Sequence, residues 1–298
     1  MNDKKTVDVS LVVANFNNGR YLDDFVRSIL DSTVSPREII FVDDGSTDDS
    51  LAIMERLAGA LRNLKIIPLE KNVGFGNALN AGIARSEGKY IMRIDPDDML
   101  QPTRLQRQYE FICTKELDVV GSNAELFHGD TGKTLGVTNF PPGHDAIEKV
   151  IRKGEHGVLH STVMARATLF KNIPYVQEHV PAEDYDIFAR FLVFGARFGN
   201  LPDVLIRCRV HQNSASNKLP FSTIAKTYRL RDEIFGTRTP KLKVMLYYGF
   251  IKSYRKYLFS RSALSKWTWA ALCVAFYPTK LLRRLTSRAV RVDAREIA

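Results

Sequence analysis

The stretch that decides the fold is VSLVVANFNNGRYLDDFVRSIL, residues 9–30, followed by EIIFVDDGSTDDS, residues 38–50. Residues 9–14 and 38–42 are short and mostly apolar, which is typical of strands buried on both faces of a parallel sheet. Between them, residues 21–30 repeat apolar side chains at helical spacing. A strand, a helix and a second strand in this order predict a βαβ unit with a right-handed crossover.

The same alternation continues to about residue 115. The pattern predicts helices over residues 47–61, 76–85 and 103–115 and strands over residues 64–69 and 90–94. Short strands separated by helices indicate an α/β fold with a doubly wound, Rossmann-like and mainly parallel sheet.

The chain beyond residue 115 is more mixed. Residues 118–127 and 203–210 predict strands, and residues 184–194 predict a helix with one apolar face. We expect one domain over residues 1–217, with one half at 1–115 and the other at 116–217. A basic, aromatic and helical region follows over residues 218–298.

Charge is distributed unevenly along the 298 residues. From residue 218 onward there are 18 Lys and Arg against 4 Asp and Glu, whereas residues 1–217 carry 25 basic and 29 acidic side chains. An acidic body with a strongly basic tail favours a polyanionic partner, either nucleic acid or an anionic membrane.

Cysteine usage and the N-terminus bear on the compartment. Cys113, Cys208 and Cys273 are far apart and form no CxxC motif, which favours a reducing cytoplasm. The N-terminal residues do not fit the pattern of a secretory signal peptide.

Three polar clusters follow predicted strands: residues 14–19, 43–48 and 95–98. Ligands of open α/β sheets bind at the carboxyl ends of strands, so these clusters are candidate binding residues. Turn formation and helix capping explain the DDGSTD sequence of the second cluster equally well. The third cluster, DPDD, places three carboxylates within four residues, and their repulsion is best relieved by a hard cation such as Mg²⁺ or Mn²⁺.

Other motifs are excluded or leave alternatives open. No Cys/His constellation indicates zinc, no GxxxxGK[ST] motif is present, and the glycines at 74 and 76 lack the third glycine of a dinucleotide fingerprint. Glu183 and Asp184 open a predicted helix, where acidic side chains either favour the helix dipole or act as a general base. His160 and His211 are each read more simply as structural histidines.

Taken in order, these clusters resemble the family 2 glycosyltransferases of the GT-A fold. The resemblance spans about residues 9–214, does not extend beyond about residue 220, and rests on VSLVVANFNNGRYLDDFVRSIL, EIIFVDDGSTDDS, NVGFGNALNAGIARSEGKYIMRIDPDD, HSTVMAR, AEDYDIFAR and RVHQNS. It implies an inverting transferase that uses a nucleotide-diphosphate sugar, most commonly a UDP-sugar in this family, with Mn²⁺ or Mg²⁺. It also implies that residues 1–217 are the catalytic domain, with a nucleotide-binding half at 1–115 and an acceptor half at 116–217. The chain lacks the QxxRW motif and multi-span region of processive synthases, so we expect addition of a single sugar.

The resemblance also implies roles for individual residues. Asp184 is the expected general base, and Phe16 the ring that stacks on the nucleobase, where tyrosine is common in the family. The expected nucleotide-sugar contacts are Ala14, Asn15, Phe16, Asp44, Asn77, Asp95, Asp97, Glu183 and Arg209. The expected metal ligands are Asp97, Asp98 and His211.

Three other functions fit the sequence less well. A catalytically silent nucleotide-sugar-binding protein would lack the metal carboxylates or Asp184, and this chain retains both. A nucleic-acid-binding protein would explain the basic tail but gives the acidic clusters no role, so we expect no nucleic-acid partner. A nucleotidyltransferase would require a glycine-rich basic N-terminal loop, which this sequence does not contain.

The basic tail contains two candidate membrane elements. Between residues 241 and 259, Tyr247, Phe250, Ile251, Tyr254 and Leu258 form a stripe at helical spacing, with Lys252, Arg255 and Lys256 on a neighbouring face. The uncharged run 267–277 follows Lys266 and precedes Lys280, Arg283, Arg284 and Arg288, and it is too short to span a bilayer. We expect peripheral binding to the inner face of the cytoplasmic membrane, beside a lipid-linked or saccharide acceptor. Packing on the catalytic domain or on a second subunit, as in a homo-oligomer, stays open.

Overall fold

The computed structural model describes residues 4–61, 63–211, 220–260 and 262–277. The chain divides into two compact units. The first unit comprises Met1–Ala124 and Phe140–Cys208, and the second comprises Glu125–Asn139 and Arg209–Ala298. The boundary expected after Asn217 lies outside the described residues and stays a prediction.

The N-terminal half of the sheet is parallel. Its strands are β1 (Thr6–Asn15), β2 (Ser35–Asp43), β3 (Leu64–Pro68) and β4 (Tyr90–Arg93), in the order β3-β2-β1-β4. The helices of this half are α1 (Leu22–Leu30), α2 (Ser50–Leu57) and α3 (Phe75–Ala84). The predicted α/β fold is confirmed, and each predicted element of residues 9–94 is present with ends shifted by a few residues.

The sheet continues with strands that pair antiparallel. The remaining strands are β5 (Met99–Leu100), β6 (Val119–His128), β7 (Thr134–Val137), β8 (Met164–Arg166) and β9 (Phe198–Val210), and the helices are α4 (Arg104–Thr114), α5 (His144–Ile151), α6 (Ala167–Asn172) and α7 (Glu183–Val193). The order runs on from β4 as β8-β6-β9-β5, with β7 beside β6. The pairs β4–β8, β6–β8, β5–β9 and β6–β7 are antiparallel, so the complete sheet is mixed.

The core of the first unit fixes where the strand ends lie. Val9, Val13 and Phe41 are fully buried and pack in one cluster with Phe25 of α1. Burying each such side chain contributes about 1.5–3 kcal/mol. On α3, Gly82 permits close approach to the sheet, because a Cβ at that position would lie 2.8 Å from Val12 Cγ1. This packing brings the carboxyl ends of the parallel strands to one edge.

The second unit contains three further helices, α8 (Phe221–Phe235), α9 (Lys241–Phe259) and α10 (Ala263–Phe276). The apolar stripe expected on α9 packs inside this unit. Tyr247 and Ile251 lie against the α8 cluster of Ile224 and Tyr228, and Phe250 is buried against Cys273 of α10. The side chains of Arg255 and Leu258, and residues Lys280, Arg283, Arg284 and Arg288, lie outside what the structure describes.

Within the described residues, no helix combines the length and the hydropathy that a membrane crossing requires.

Candidate active site

The first acidic turn, residues 43–48, follows β2 at the carboxyl edge of the sheet. Asn15, at the end of β1, donates through Nδ2 to Asp43 Oδ1 at 2.8 Å and to Ser46 Oγ at 3.1 Å. The backbone amide and hydroxyl of Ser46 donate to the two carboxylate oxygens of Asp43. Asn15 and Asp43 are both almost fully buried. The turn is thus held to β1 by a closed set of side-chain hydrogen bonds.

The other two carboxylates of this turn accept hydrogen bonds from backbone amides. Asp44 Oδ1 accepts from Val73 at 2.7 Å and its Oδ2 accepts from Gly74 at 3.0 Å. Asp48 accepts from the amides of Gly19 and Ser50. Burial raises the pKa of Asp48, but these hydrogen bonds outweigh it and leave the pKa below its ordinary value.

The N-terminus of α3 is capped by a residue distant in sequence. Gln177 Oε1 accepts from the amides of Gly76 at 2.8 Å and Asn77 at 3.3 Å. Gly74 has φ +91°, and a Cβ there would lie 2.2 Å from Gln177 Nε2. A side chain at position 74 would therefore be strained and would also collide with the cap. Asn77 itself is exposed and donates to the Val73 carbonyl.

The second acidic turn, residues 95–98, follows β4. Asp95, Asp97 and Asp98 each bring one carboxylate oxygen within 4.8 Å of the others. Asp98 is 4% exposed, whereas the other two are partly exposed. Burial raises the pKa of Asp95, Arg93 opposes that shift and Asp97 adds to it, so the pKa ends above its ordinary value. A set of hard oxygen donors with mutual repulsion suits a divalent cation.

Arg93, at the end of β4, forms an ion pair with Asp95 of the second acidic turn. Its guanidinium contacts Asp95 Oδ1 and donates to Ser161 Oγ at 3.1 Å, and that hydroxyl donates to Asp95 Oδ2 at 2.6 Å. The Arg93 side chain is almost fully buried and lies over the Phe75 ring at 5.1 Å. Both oxygens of Asp95 therefore have protein partners, and its orientation is fixed.

A second buried arginine supports the first. Arg104 is fully buried and donates to the Arg93 carbonyl at 2.9 Å and to Gln108 Oε1 at 3.0 Å. Gln108 in turn donates to the Thr162 carbonyl at 2.7 Å. This network ties β4 and α4 to the turn of 3₁₀ helix at His160–Thr162. The chain forms that turn immediately before β8 begins at Met164.

The start of α7 brings two more carboxylates to the same unit. Burial and the charge of Asp184 raise the pKa of Glu183 to about 7, and Arg93 and Asp95 are close enough to affect it. Glu183 Oε2 is buried without a hydrogen-bond partner among the described residues. Asp184 is 30% exposed and accepts from the Tyr185 amide at 2.7 Å, and its Oδ2 lies 3.4 Å from Nδ1 of His156. One carboxylate thus faces inward and the other is open to solvent.

Comparison with known proteins identifies the family. The model of glycosyl transferase family 2 matches residues 10–173, more than half of the chain. This chain belongs to glycosyl transferase family 2. It is a glycosyltransferase, and the resemblance inferred from its motifs is confirmed.

Individual relatives cover most of this family 2 chain. The amylovoran biosynthesis glycosyltransferase AmsE of Erwinia amylovora is 28% identical over 74% of this chain and 85% of its own length. The O-antigen biosynthesis glycosyltransferase WbnJ of Escherichia coli is 27% identical over 82% of this chain and 96% of its own. S. aureus TarS 1-349 in complex with UDP-GlcNAc shares the fold, with a TM-score of 0.63, 19% identity, and coverage of 90% of this chain and 80% of TarS.

The remaining predicted site residues of the transferase lie outside the two acidic turns and the start of α7. Ala14 is buried at the end of β1, and Phe16 just beyond it is 45% exposed. Arg209 and His211 belong to the second unit, where the Arg209 guanidinium lies 4.8 Å from the Phe127 ring and donates to the Gly129 carbonyl. The ligand-binding roles assigned to these residues stay predictions.

His160 has a structural environment. Its Nε2 lies 2.7 Å from the Tyr175 hydroxyl, and aromatic rings of Phe75 and Phe188 surround it. Burial and the charge of Arg93 hold the pKa of His160 well below its ordinary value, so the ring is neutral.

Sequence reasoning missed Arg93, Ser161, Gln177 and His156. One signal was available for Arg93, since a lone charge at the end of the apolar strand YIMRI must be paired when it is buried. No local pattern marks Gln177, because its partners lie about a hundred residues away.

Proposed function

We propose that this glycosyltransferase moves a single sugar from a nucleotide-diphosphate donor, most simply a UDP-sugar, to an acceptor hydroxyl with inversion at C1. The observation that supports it best is the second acidic turn, with three carboxylates inside 4.8 Å beside the buried carboxylate of Glu183. That turn follows β4 at the edge of the sheet where open α/β folds bind ligands.

A divalent cation, Mn²⁺ or Mg²⁺, fits the donor set of this turn. The family resemblance implies Asp97 and Asp98 as its ligands, and both belong to the cluster of three carboxylates. Arg93 and Ser161 hold the two oxygens of Asp95. The metal-binding role that the family resemblance implies for His211 stays a prediction. When bound, such a cation stabilises the negative charge that develops on a departing diphosphate.

Asp184 is our candidate for the general base. Its partly exposed carboxylate can accept the proton that an acceptor hydroxyl loses as it attacks C1. A single base without a covalent nucleophile gives one displacement and therefore inversion. Glu183 is the alternative base, since a pKa near 7 also suits proton transfer at neutral pH. Under the first assignment Glu183 belongs to the sugar-nucleotide side of the site.

The donor nucleotide would lie along the first acidic turn. Phe16 is exposed directly after β1 and offers a ring on which a base can stack. Neighbouring structures bind different nucleotides, since TarS was solved with UDP and with UDP-GlcNAc and the Pyrobaculum calidifontis mannosyltransferase PcManGT with GDP-Man and Mn²⁺. We favour a UDP-sugar, with Asp44, Asn15 and Asn77 as further contacts.

The acceptor we propose is a lipid-linked saccharide or a growing polysaccharide. The names of AmsE and WbnJ assign those relatives to amylovoran and O-antigen biosynthesis. Such an acceptor would place this enzyme on the inner face of the cytoplasmic membrane as a peripheral protein.

The experiment that tests the reaction measures diphosphate release from a panel of nucleotide sugars. Purified protein is incubated with UDP-, GDP- and TDP-sugars and a membrane extract as acceptor source, with Mn²⁺, with Mg²⁺ and with chelator. We expect release from one donor class that depends on both acceptor and metal. Diphosphate release that is undiminished in the chelator would contradict the proposed role of the metal. A product that retains the configuration at C1 would contradict the single displacement.

A further inference from the structure

The outer face of α10 is apolar and exposed. Leu264, Trp267 and Val274 are 80%, 76% and 49% exposed, and Ala271 between them is also exposed. Their spacing of three or four residues places them on one side of the helix. The opposite side of α10 carries Cys273, which is fully buried. In the described part of the chain, α10 is therefore packed on one side only.

Helix α9 does not offer a comparable face along its predicted stripe. Tyr247, Phe250, Ile251 and Tyr254 are taken up by packing with α8 and α10. The stripe predicted on α9 is therefore packed, whereas the outer face of α10, which sequence periodicity alone did not distinguish, is exposed.

The charge around α10 indicates the chemistry of the partner. No acidic residue occurs between Glu233 and Asp293, although Lys and Arg recur throughout that stretch. Lys266 is exposed on α10 itself, and Lys256 of α9 lies with its Nζ 4.3 Å from the Trp269 ring. An apolar face on a helix whose surroundings in sequence contain cations and no anions complements an anionic lipid surface, whereas a second copy would bring like charges together.

The length of α10 fixes how it would meet a bilayer. Its 14 residues extend about 21 Å, which is less than the roughly 30 Å thickness of the hydrocarbon core. A helix of this kind lies in the plane of the interface, with apolar side chains among the acyl chains and a tryptophan near the headgroups.

We propose that α10 is an interfacial anchor whose Leu264, Trp267 and Val274 insert into an anionic bilayer. The purpose of the anchor rests on the proposed membrane-side acceptor, but its binding to lipid is measured independently of sugar transfer. Lysines beside the helix meet the anionic headgroups, and the attraction weakens as salt screens it.

The chain offers an intrinsic reporter for this proposal. Its two tryptophans, Trp267 and Trp269, both lie in α10. In the full-length variant Trp269→Phe, emission comes from Trp267 alone. Vesicles that contain phosphatidylglycerol should shift this emission to the blue at low salt, and brominated phosphatidylglycerol should quench it. Pure phosphatidylcholine should have a much smaller effect. Emission that ignores phosphatidylglycerol vesicles at low salt overturns the proposal.

Two variants and a matched control distinguish lipid binding through the outer face of α10 from non-specific hydrophobic adsorption. Leu264→Glu and Val274→Glu, each in the Trp269→Phe background, should weaken vesicle binding at least about tenfold, since each places a charge in the apolar interface. The control is Leu242→Glu on α9, because Leu242 is 65% exposed but lies on another helix. Equal loss in the control would refute the assignment to α10.

Other occupants of the face give distinct results. If the face bound a second copy, sedimentation without lipid would show a dimer that Leu264→Glu dissociates. If another segment of the chain covered it, acrylamide would fail to quench Trp267 in the lipid-free protein. Either outcome overturns the anchor. Normal transfer to a water-soluble acceptor by the same variants would show that the failure concerns anchoring and leaves the proposed reaction intact.

Discussion

The two acidic turns look alike in sequence but differ in how the protein treats their charge. In the first, residues 43–48, Asp43, Asp44 and Asp48 each accept hydrogen bonds from nearby amides or hydroxyls. In the second, residues 95–98, three carboxylates face one another, and Arg93 lies against one of them. The carboxylates of the first turn accept hydrogen bonds that hold neighbouring loops, whereas those of the second turn are grouped close together.

The two turns contain the same number of aspartates, and they differ in which hydrogen-bond donors reach the carboxylates. Backbone amides reach the first turn because α3 and the loop before it pack beside β2. The second turn receives a buried guanidinium from β4, and the charge of that guanidinium acts on Asp95 and Asp98. The following substitutions test whether the two turns differ in this way.

The largest effect is expected from Asp98→Ala, which removes a buried carboxylate from the second turn. Transfer should fall below detection, and Mn²⁺ affinity measured by calorimetry should fall with it, while the melting temperature changes little. The control is Asp49→Ala, an exposed acid at the start of α2 whose side chain makes no cap hydrogen bond. Equal losses in both variants would show that the effect is not specific to the second turn.

The next effect concerns Asp184, the proposed proton acceptor at the start of α7. Asp184→Asn keeps the shape of the side chain and should lower kcat roughly 10²–10⁴-fold, as is typical of a general base. Donor affinity, measured by calorimetry with the intact nucleotide sugar, should change little. Normal turnover in Asp184→Asn together with loss in Glu183→Gln would assign the base to Glu183.

A smaller effect should follow from Asp44→Asn in the first turn. The amide can no longer accept from both Val73 and Gly74, so the free energy of unfolding should fall by about 1–3 kcal/mol. Urea unfolding followed by circular dichroism measures this change. If stability held and only donor affinity fell, the carboxylate would belong to the nucleobase rather than to the loop.

The smallest effect is a pH-dependent gain in stability. The pKa of Glu183 is raised from 4.5 to about 7, so its contribution is present below pH 4.5 and is lost as pH rises through 7. Glu183→Gln resembles the protonated form and should be more stable than wild type at pH 8, and the two should converge below pH 4.5. Urea titrations at both pH values measure the difference. A variant less stable at pH 8 would show that the charged form is stabilised.

Much of the fold could be predicted because apolar runs and helical spacing are local signals. Residues 9–94 carry them clearly, and every predicted element there is present. The two-residue strand Met99–Leu100 is too short to leave a pattern, and its position depends on pairing with β9. Helix His144–Ile151 has Ile147 and Ile151 at helical spacing and could have been found.

The site was predictable where chemistry is concentrated in sequence. The DPDD sequence shows three carboxylates within four residues, and the structure brings these three carboxylates together. The DDGSTD turn left capping and binding open, because sequence does not show that the amides of Val73 and Gly74 reach Asp44. Ser161 and His156 gave no signal, since their contacts with Asp95 and Asp184 depend on tertiary packing.

The cap that Gln177 places on α3 has a consequence for the order in which the molecule folds. It joins positions 101 residues apart, and the paired hydrogen bonds between Asn80 and Tyr175 join positions 95 apart. Closing so long a loop costs chain entropy before its contacts can form, so such contacts form late. Loss of the cap should accelerate unfolding and leave the refolding rate almost unchanged. A nascent chain would thus form its parallel strands before Gln177 caps the N-terminus of α3.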